Sequence, residues 1–269
     1  MLLREAIEGD GLRLHYQPEV DLRNGRLLSV EALVRWQHPL RGIVAAADFI
    51  TIAEETGLVL EIGRWVFAEA CRQLALWIDE YPDLPLVVRV NMSPIEFSAS
   101  DLVSFVENCL VTSDVPPDRL CIEITEYAVV DEPEKTAAIL SGFQKLGVEV
   151  ALDDFGTGFA SMTELKHLPV DTLKLDMSFV AGITTDTYDR AIVETIIHLG
   201  DALDLGVTAE GIETTDIIEK LLELGCHRGQ GYLISRPVCA QDLAPMLKAG
   251  GVSPSVLGAP EPLPTTAGS

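Results

Sequence analysis

Basic residues are scarce in this chain. Lys and Arg together number 19 against 42 Asp and Glu, a formal net charge of −23 at pH 7. Such a chain offers no electrostatic footprint for a nucleic-acid backbone or an anionic membrane face. A phosphate substrate would need an intervening cation, and divalent metal is the obvious candidate. Cysteine is sparse as well: Cys71, Cys109, Cys121, Cys226 and Cys239 are scattered, odd in number and without a CxxC spacing. That excludes a disulfide or zinc framework and suits buried thiols in a reducing compartment. The histidines (His15, His38, His167, His198, His227) share no metal spacing and read as surface or structural residues. The opening MLLRE meets an acid at Glu5 before any apolar region, so it is no signal peptide. No apolar run approaches the roughly 18–20 residues that span a membrane. These absences place the chain in the cytoplasm, with no DNA or RNA polymer and no membrane as partner.

What is present is a series of short β-rich runs alternating with helical periodicity. LRLHYQPEV (12–20) and LLSVEALVRW (27–36) flank Asn24-Gly25, a strong hairpin signal, so the first strand is expected to be antiparallel to the second. Helical patterns follow from about Ala47, break at Gly57 and resume to about Tyr81. Then come LVVRVNMS (86–93), LCIEITEY (120–127), VEVALDD (148–154), DTLKLD (171–176), VTAEG (207–211) and QGYLIS (230–235), with helical stretches between them. Continuous Val/Ile/Leu runs suggest a parallel sheet covered by helices. The pattern predicts an α/β fold, a (β/α)8 TIM-like barrel with its first strand reversed, occupying 1–250 as one domain. The segment 251–269 is rich in Pro, Gly, Ser and Thr without periodicity and reads as a disordered C-terminal tail.

Each apolar strand carries a polar residue near its end: Glu31, Asn91, Glu123, Asp153 with Asp154, Lys174, Glu210 and Gln230. In barrels, functional side chains from several strand ends converge on one mouth. A lone carboxylate in such a strand would cost several kcal/mol or take up a proton. Acids and Asn are hard oxygen ligands for Mg²⁺, Mn²⁺ or Ca²⁺, so cations between the strand ends explain the set. Strand neighbours point to opposite faces, so Asp153 and Asp154 share a site only if the strand ends or distort there, which the following glycines permit. One of the two carboxylates is then able to bridge two metals about 3.5–4 Å apart, a device for in-line attack on a phosphodiester. Singly, each feature has a plainer reading: a paired acid, turn chemistry at Asp153-Asp154, a snorkelling Lys174. Their joint occurrence favours the site.

The ordered set Glu31-Ala32-Leu33, YQP (16–18), NMSP (91–94), EITE (123–126), DDFGTG (153–158), LPVDTLKLD (168–176), AEGIET (209–214) and GQGYLISRP (229–237) resembles the EAL-domain family of cyclic di-GMP phosphodiesterases, from about Leu12 to Leu247. The resemblance implies hydrolysis of cyclic di-GMP to linear pGpG by a homodimer that uses two Mg²⁺ or Mn²⁺ ions, with Ca²⁺ inhibitory. It assigns Glu31, Asn91, Glu123 and Asp153 to one ion and Asp153, Asp154 and Glu210 to the other. Lys174 stands beside the attacking water, with Glu213 and Gln230 completing the shell and Glu210 serving catalysis too. Gln17, Leu33, Arg35 and Gln230 contact substrate, and Glu126 steadies the loop after DDF. Two departures stand out: Phe159-Ala160 replaces a Tyr-Ser pair common in members, and Ala45-Ala46-Ala47 replaces a usual proline. A receptor that binds cyclic di-GMP without cleaving it, and a scaffold acting by protein contact, are the other classes; the complete acid set favours the enzyme.

Overall fold

Gly25, at φ 78°, closes the turn that the Asn24-Gly25 pair predicts, and β1 (Leu12–Asp21) pairs antiparallel with β2 (Leu27–His38). The computed structural model describes residues 2–131, 133–158, 165–166 and 168–258. A short β3 (Gly42–Ala45) extends β2 outward as an edge hairpin. The parallel strands follow: β4 (Val87–Met92), β5 (Leu120–Thr125), β6 (Glu149–Phe155), β7 (Thr172–Leu175), β8 (Gly206–Ala209) and β9 (Arg228–Gln230). The sheet order is β1-β9-β8-β7-β6-β5-β4-β2-β3, and the extra β1–β2 pairing closes it. β3 hangs outside, so eight strands form the barrel, and β1 runs antiparallel to both of its neighbours. The expected barrel with a reversed first strand is the fold observed.

The helices that cover it are α1 (Leu2–Glu8), α2 (Ile50–Thr56), α3 (Val59–Glu80), α4 (Leu102–Ser113), α5 (Glu126–Asp131), α6 (Pro133–Leu146), α7 (Met177–Gly182), α8 (Thr187–Leu203), α9 (Thr215–Glu223) and α10 (Ala240–Ala249). Gly57, left-handed at φ 74°, ends α2 where the sequence breaks. Asp186 caps α8 by accepting from the Tyr188 and Asp189 amides.

Strand alternation sorts the core. Val88 and Val90 of β4, Ile122 and Ile124 of β5 and Leu173 and Leu175 of β7 are fully buried in the apolar core. Their strand neighbours Arg89, Glu123 and Lys174 meet one another in the lumen, which is therefore polar and charged rather than packed with aliphatic layers.

Two expectations need correction. QGYLIS does not form a strand: β9 ends at Gln230 because the chain turns there, the Gly231 carbonyl accepting from the Ile234 and Ser235 amides at 3.0 Å. The disordered tail cannot begin at 251: Gly251 bridges to Arg26, Pro254–Leu257 forms a 3-10 turn capped by Ser253, and Leu257 is buried. Residues 259–269 lie outside the described residues.

Candidate active site

The C-terminal ends of the parallel strands deliver the predicted polar residues to one mouth. Lys174 of β7, 1% exposed, sits at its centre. Its Nζ lies 2.6 Å from Glu210 Oε1, 2.8 Å from Glu123 Oε2, 3.2 Å from Asp153 Oδ1 and 3.6 Å from Glu31 Oε2. Two amides tie the acids together. Asn91 Nδ2 donates to Glu31 Oε1 at 2.6 Å, and Gln230 Nε2 donates to both Glu31 Oε2 and Glu210 Oε1 at 2.8 Å.

The distortion required at Asp153-Asp154 is present. Register between β6 and β7 breaks between Leu152 and Phe155, and Asp154 adopts φ 54°, a left-handed conformation rare for any residue but glycine, Asn or Asp. The twist turns Asp154 toward its neighbour's side, and one carboxylate oxygen from each of Asp153, Asp154 and Glu210 lies within 4.8 Å of the others. Glu126, buried at the start of α5, accepts from the amides of Gly156 and Gly158 at 3.3 and 3.4 Å and holds the following turn.

So many acids in so little water distort their own titration. Burial, opposed by Lys174 and reinforced by Glu31 and Asp153, pushes Glu123 up to about 8. Burial and the neighbouring charges of Asp153 and Asp176 raise Asp154 to about 6. Burial also raises Glu210 well above the usual carboxylate range. Glu31 goes the other way, because Lys174 and the amides of Gln230 and Asn91 outweigh its burial. The four carboxylates facing Lys174 lift that ammonium well above its ordinary value despite burial, so it stays charged. One ammonium does not neutralise these acids together with Asp154, and the surplus requires protons or further cations. Gln230 Oε1 is buried and without a hydrogen-bond partner among the described residues, and buried Asp153 Oδ1 meets only the Lys174 ammonium at 3.2 Å. Hard oxygen donors, surplus negative charge and the unpartnered Gln230 oxygen fit divalent cations.

The family model for the EAL domain matches residues 2–237. This chain belongs to the EAL-domain family. MucR of Pseudomonas aeruginosa, a bifunctional diguanylate cyclase/cyclic di-GMP phosphodiesterase, is 42% identical over 242 residues, 90% of this chain and 35% of that protein. The solved MucR phosphodiesterase in complex with cyclic di-GMP superposes with a TM-score of 0.86 at 42% identity, over 90% of this chain and 97% of that one. The FimX EAL domain from Pseudomonas aeruginosa, bound to cyclic di-GMP, gives 0.80 at 25% identity over 88% and 95%. The chain spans between 30 and 42% of the length of full-length MucR and similar curated relatives.

The EAL domain's cleft, a cavity of about 220 Å³ beside the acids, is lined by Gln17, Leu33, Glu213 and Tyr232 among others. Gln17 Nε2 is held by the Ser235 carbonyl at 3.3 Å. Arg35 is not part of that lining; its Nη1 donates to the Val34 carbonyl, although it feels the charge of Glu31 and Tyr232. Asn91 instead faces a second, mostly apolar cavity of about 280 Å³ between β2, α2 and α3. The loop variant at Phe159-Ala160 lies outside the described residues. The Ala45-Ala46-Ala47 departure falls at the end of β3 and in a 3-10 turn before α2.

Two features escape sequence reasoning. Asp176 caps α7 through the Ser178 amide, and its charge helps raise Asp154; an acid closing a strand before a helix was the available signal. Arg89 and Glu19, fully buried, form an ion pair at 2.9 Å beneath the mouth. A charge inside VVRVNM carries no local sign of a partner seventy residues away in sequence.

Proposed function

We propose that this EAL domain is a metal-dependent hydrolase that opens cyclic di-GMP to linear pGpG. One observation carries the reading: acids and amides from separate strand ends meet around a charged buried lysine, with Asp153, Asp154 and Glu210 spaced for one shared cation. The likeness to MucR, whose phosphodiesterase domain is solved with cyclic di-GMP, supports the substrate.

Glu31, Asn91, Glu123 and Asp153 would hold one Mg²⁺ or Mn²⁺, and Asp153, Asp154 and Glu210 a second. Bound there, the two ions supply Lewis acidity to a phosphoryl oxygen and lower the pKa of an attacking water. The protein's part is to place and shield. Gln230 locks Glu31 against Glu210 with a single amide, fixing the distance between the two ligand sets. Lys174 keeps its proton and sets a positive charge where negative charge grows on the phosphate. Water attacks phosphorus, the P–O bond to a ribose 3′ oxygen breaks, that oxygen leaves as a 3′-hydroxyl with the proton the water gives up, and the ring opens with a 5′-phosphate on the product. Gln17, Leu33, Tyr232 and Glu213 line the approach beside Glu210, and Arg35, outside that lining, would have to leave the Val34 carbonyl to contact substrate. Glu126 keeps the turn after Asp154 in place. The proposal extends to a cytoplasmic homodimer that Ca²⁺ inhibits. Among the described residues, no helix is long and apolar enough to cross a membrane.

The test is incubation with cyclic di-GMP and Mg²⁺ or Mn²⁺, following pGpG by chromatography. Product is expected, and it falls by about a hundredfold or more on Glu31→Ala or EDTA treatment, since metal activation is worth several kcal/mol. Binding of cyclic di-GMP with no product under either metal would overturn the hydrolase reading and leave a receptor.

A further inference from the structure

Arg89 heads the largest fully buried side chains among the described residues, and no step above uses it. Alternation along β4 puts it in the lumen one layer below the mouth, between the floor of the barrel and the acids. Its Nε donates to Ser29 Oγ and lies 2.9 Å from Glu19 Oε2. Its Nη1 reaches upward to Glu123 Oε1 at 3.4 Å. Glu19 turns its other oxygen to Arg228 Nε at 2.7 Å and Thr208 Oγ1 at 3.1 Å. Glu123 turns its other oxygen to Lys174 at 2.8 Å. Cations and carboxylates therefore alternate up the lumen as Arg228, Glu19, Arg89, Glu123 and Lys174, each acid gripped from both sides.

We infer that Arg89 is a positioning residue for Glu123, holding one carboxylate oxygen from below so that the other stays aimed at the cation site. The inference rests on the two-cation reading above. A structural role alone is a poor account of Arg89. Apolar residues of similar volume usually serve a core as well as or better than a buried ion pair, and Arg89 Nη2 has no partner among the described residues. Glu123, by contrast, needs an anchor. It faces the like charges of Glu31 and Asp153 across Lys174, and that repulsion drives a free carboxylate away from the mouth. Groups that orient a metal ligand from behind alter metal affinity without touching the metal.

The experiment is Mn²⁺ titration by calorimetry, with no substrate present, on the wild-type domain, on Arg89→Gln and on the paired Glu19→Leu/Arg89→Met. The paired change removes both partners, so it strands no buried charge, and Arg228 is partly exposed and free to turn to water. Thermal unfolding identifies which variants are folded. In a folded variant, the step assigned to Glu31, Asn91, Glu123 and Asp153 is expected to weaken by about 10–100-fold. The step assigned to Asp153, Asp154 and Glu210 should stay within about threefold, a split that general loosening of the core would not produce. Either folded variant binding both ions as the wild type does would overturn the role of Arg89. A wild-type domain that binds no Mn²⁺ would overturn the two-cation reading, and this inference with it.

Discussion

Replacing Lys174 by methionine removes the ammonium that four carboxylates share at contacts from 2.6 to 3.6 Å. Each contact carries roughly 5 kcal/mol of gross attraction at an effective dielectric of about 20. Desolvation cancels most of it, and losing one partner of a buried pair costs about 3–5 kcal/mol net. The variant has an outlet, because one carboxylate is able to bind a proton in place of the ammonium. Starting from an ordinary glutamate pKa near 4.3, that uptake costs about 2.3 kcal/mol at pH 6 and about 5 kcal/mol at pH 8. The folded variant then holds a proton that the unfolded chain lacks, so its stability falls as pH rises. Part of that direction belongs to the wild type as well: Glu123, raised to about 8, keeps a proton that the unfolded chain gives up near the ordinary carboxylate value, so its cost grows up to about pH 8, whereas that of Asp154, raised to about 6, is complete by pH 6. The difference between the two proteins is what isolates the lysine. At roughly 2–4 °C per kcal/mol, the metal-free variant should melt about 5–9 °C below wild type at pH 6 and about 10–20 °C below at pH 8. Circular dichroism melts in EDTA at the two pH values measure this, and millimolar Mn²⁺ should narrow the gap by replacing the lost charge. Equal melting at pH 8, or a gap that fails to widen between pH 6 and pH 8, would refute the picture of a shared counter-ion.

Two further outcomes follow from single positions. Asp154→Asn keeps a residue type that tolerates φ 54° and removes a charge repelled by Asp153 and Asp176. The metal-free domain should gain about 1.5 kcal/mol at pH 8, after halving for solvent screening, while Mn²⁺ stabilises it less than wild type; a lower melting temperature in EDTA counts against the account. Gly231→Ala drives a Cβ to 2.2 Å from the nitrogen and oxygen of Ile212, backbone atoms with no rotamer to retreat into. Melting should fall by the equivalent of about 1–3 kcal/mol, with Gln230 displaced and cleavage reduced; an unchanged melting temperature would contradict the packing described.

The barrel was legible because its signals are local. The Asn24-Gly25 turn, the apolar runs and the break at Gly57 each act within a few residues. The site was legible because polar residues at strand ends stand out against apolar neighbours, and the two-residue period of a strand demanded the distortion found at Asp154. What stayed hidden depends on distant packing. Gly231 lies against the Ile212 backbone, a contact that nothing near it in sequence announces. Residues 251–252 are ordered by pairing with the turn at Gly25 and Arg26, which a composition rich in Pro and Ser does not foretell. Lys174 was open to a snorkelling reading, and only the fold shows the four acids that hold it. The lumen ladder through Arg89 joins strands whose charges look isolated in the sequence.

The reversed first strand also sets the side of the barrel from which the chain enters. In a barrel whose strands all run one way, the chain enters at the floor, opposite the chemistry. Here Leu12 pairs with Trp36, near the mouth-side end of β2, and the Gly11 carbonyl accepts from the Gln37 amide. The chain therefore comes in over the reactive rim and descends past Gln17 to Glu19. Any segment joined ahead of α1 is tethered on the same side as the acids, and a torque applied there reaches Gln17 and Glu31 through one hairpin rather than across the whole barrel.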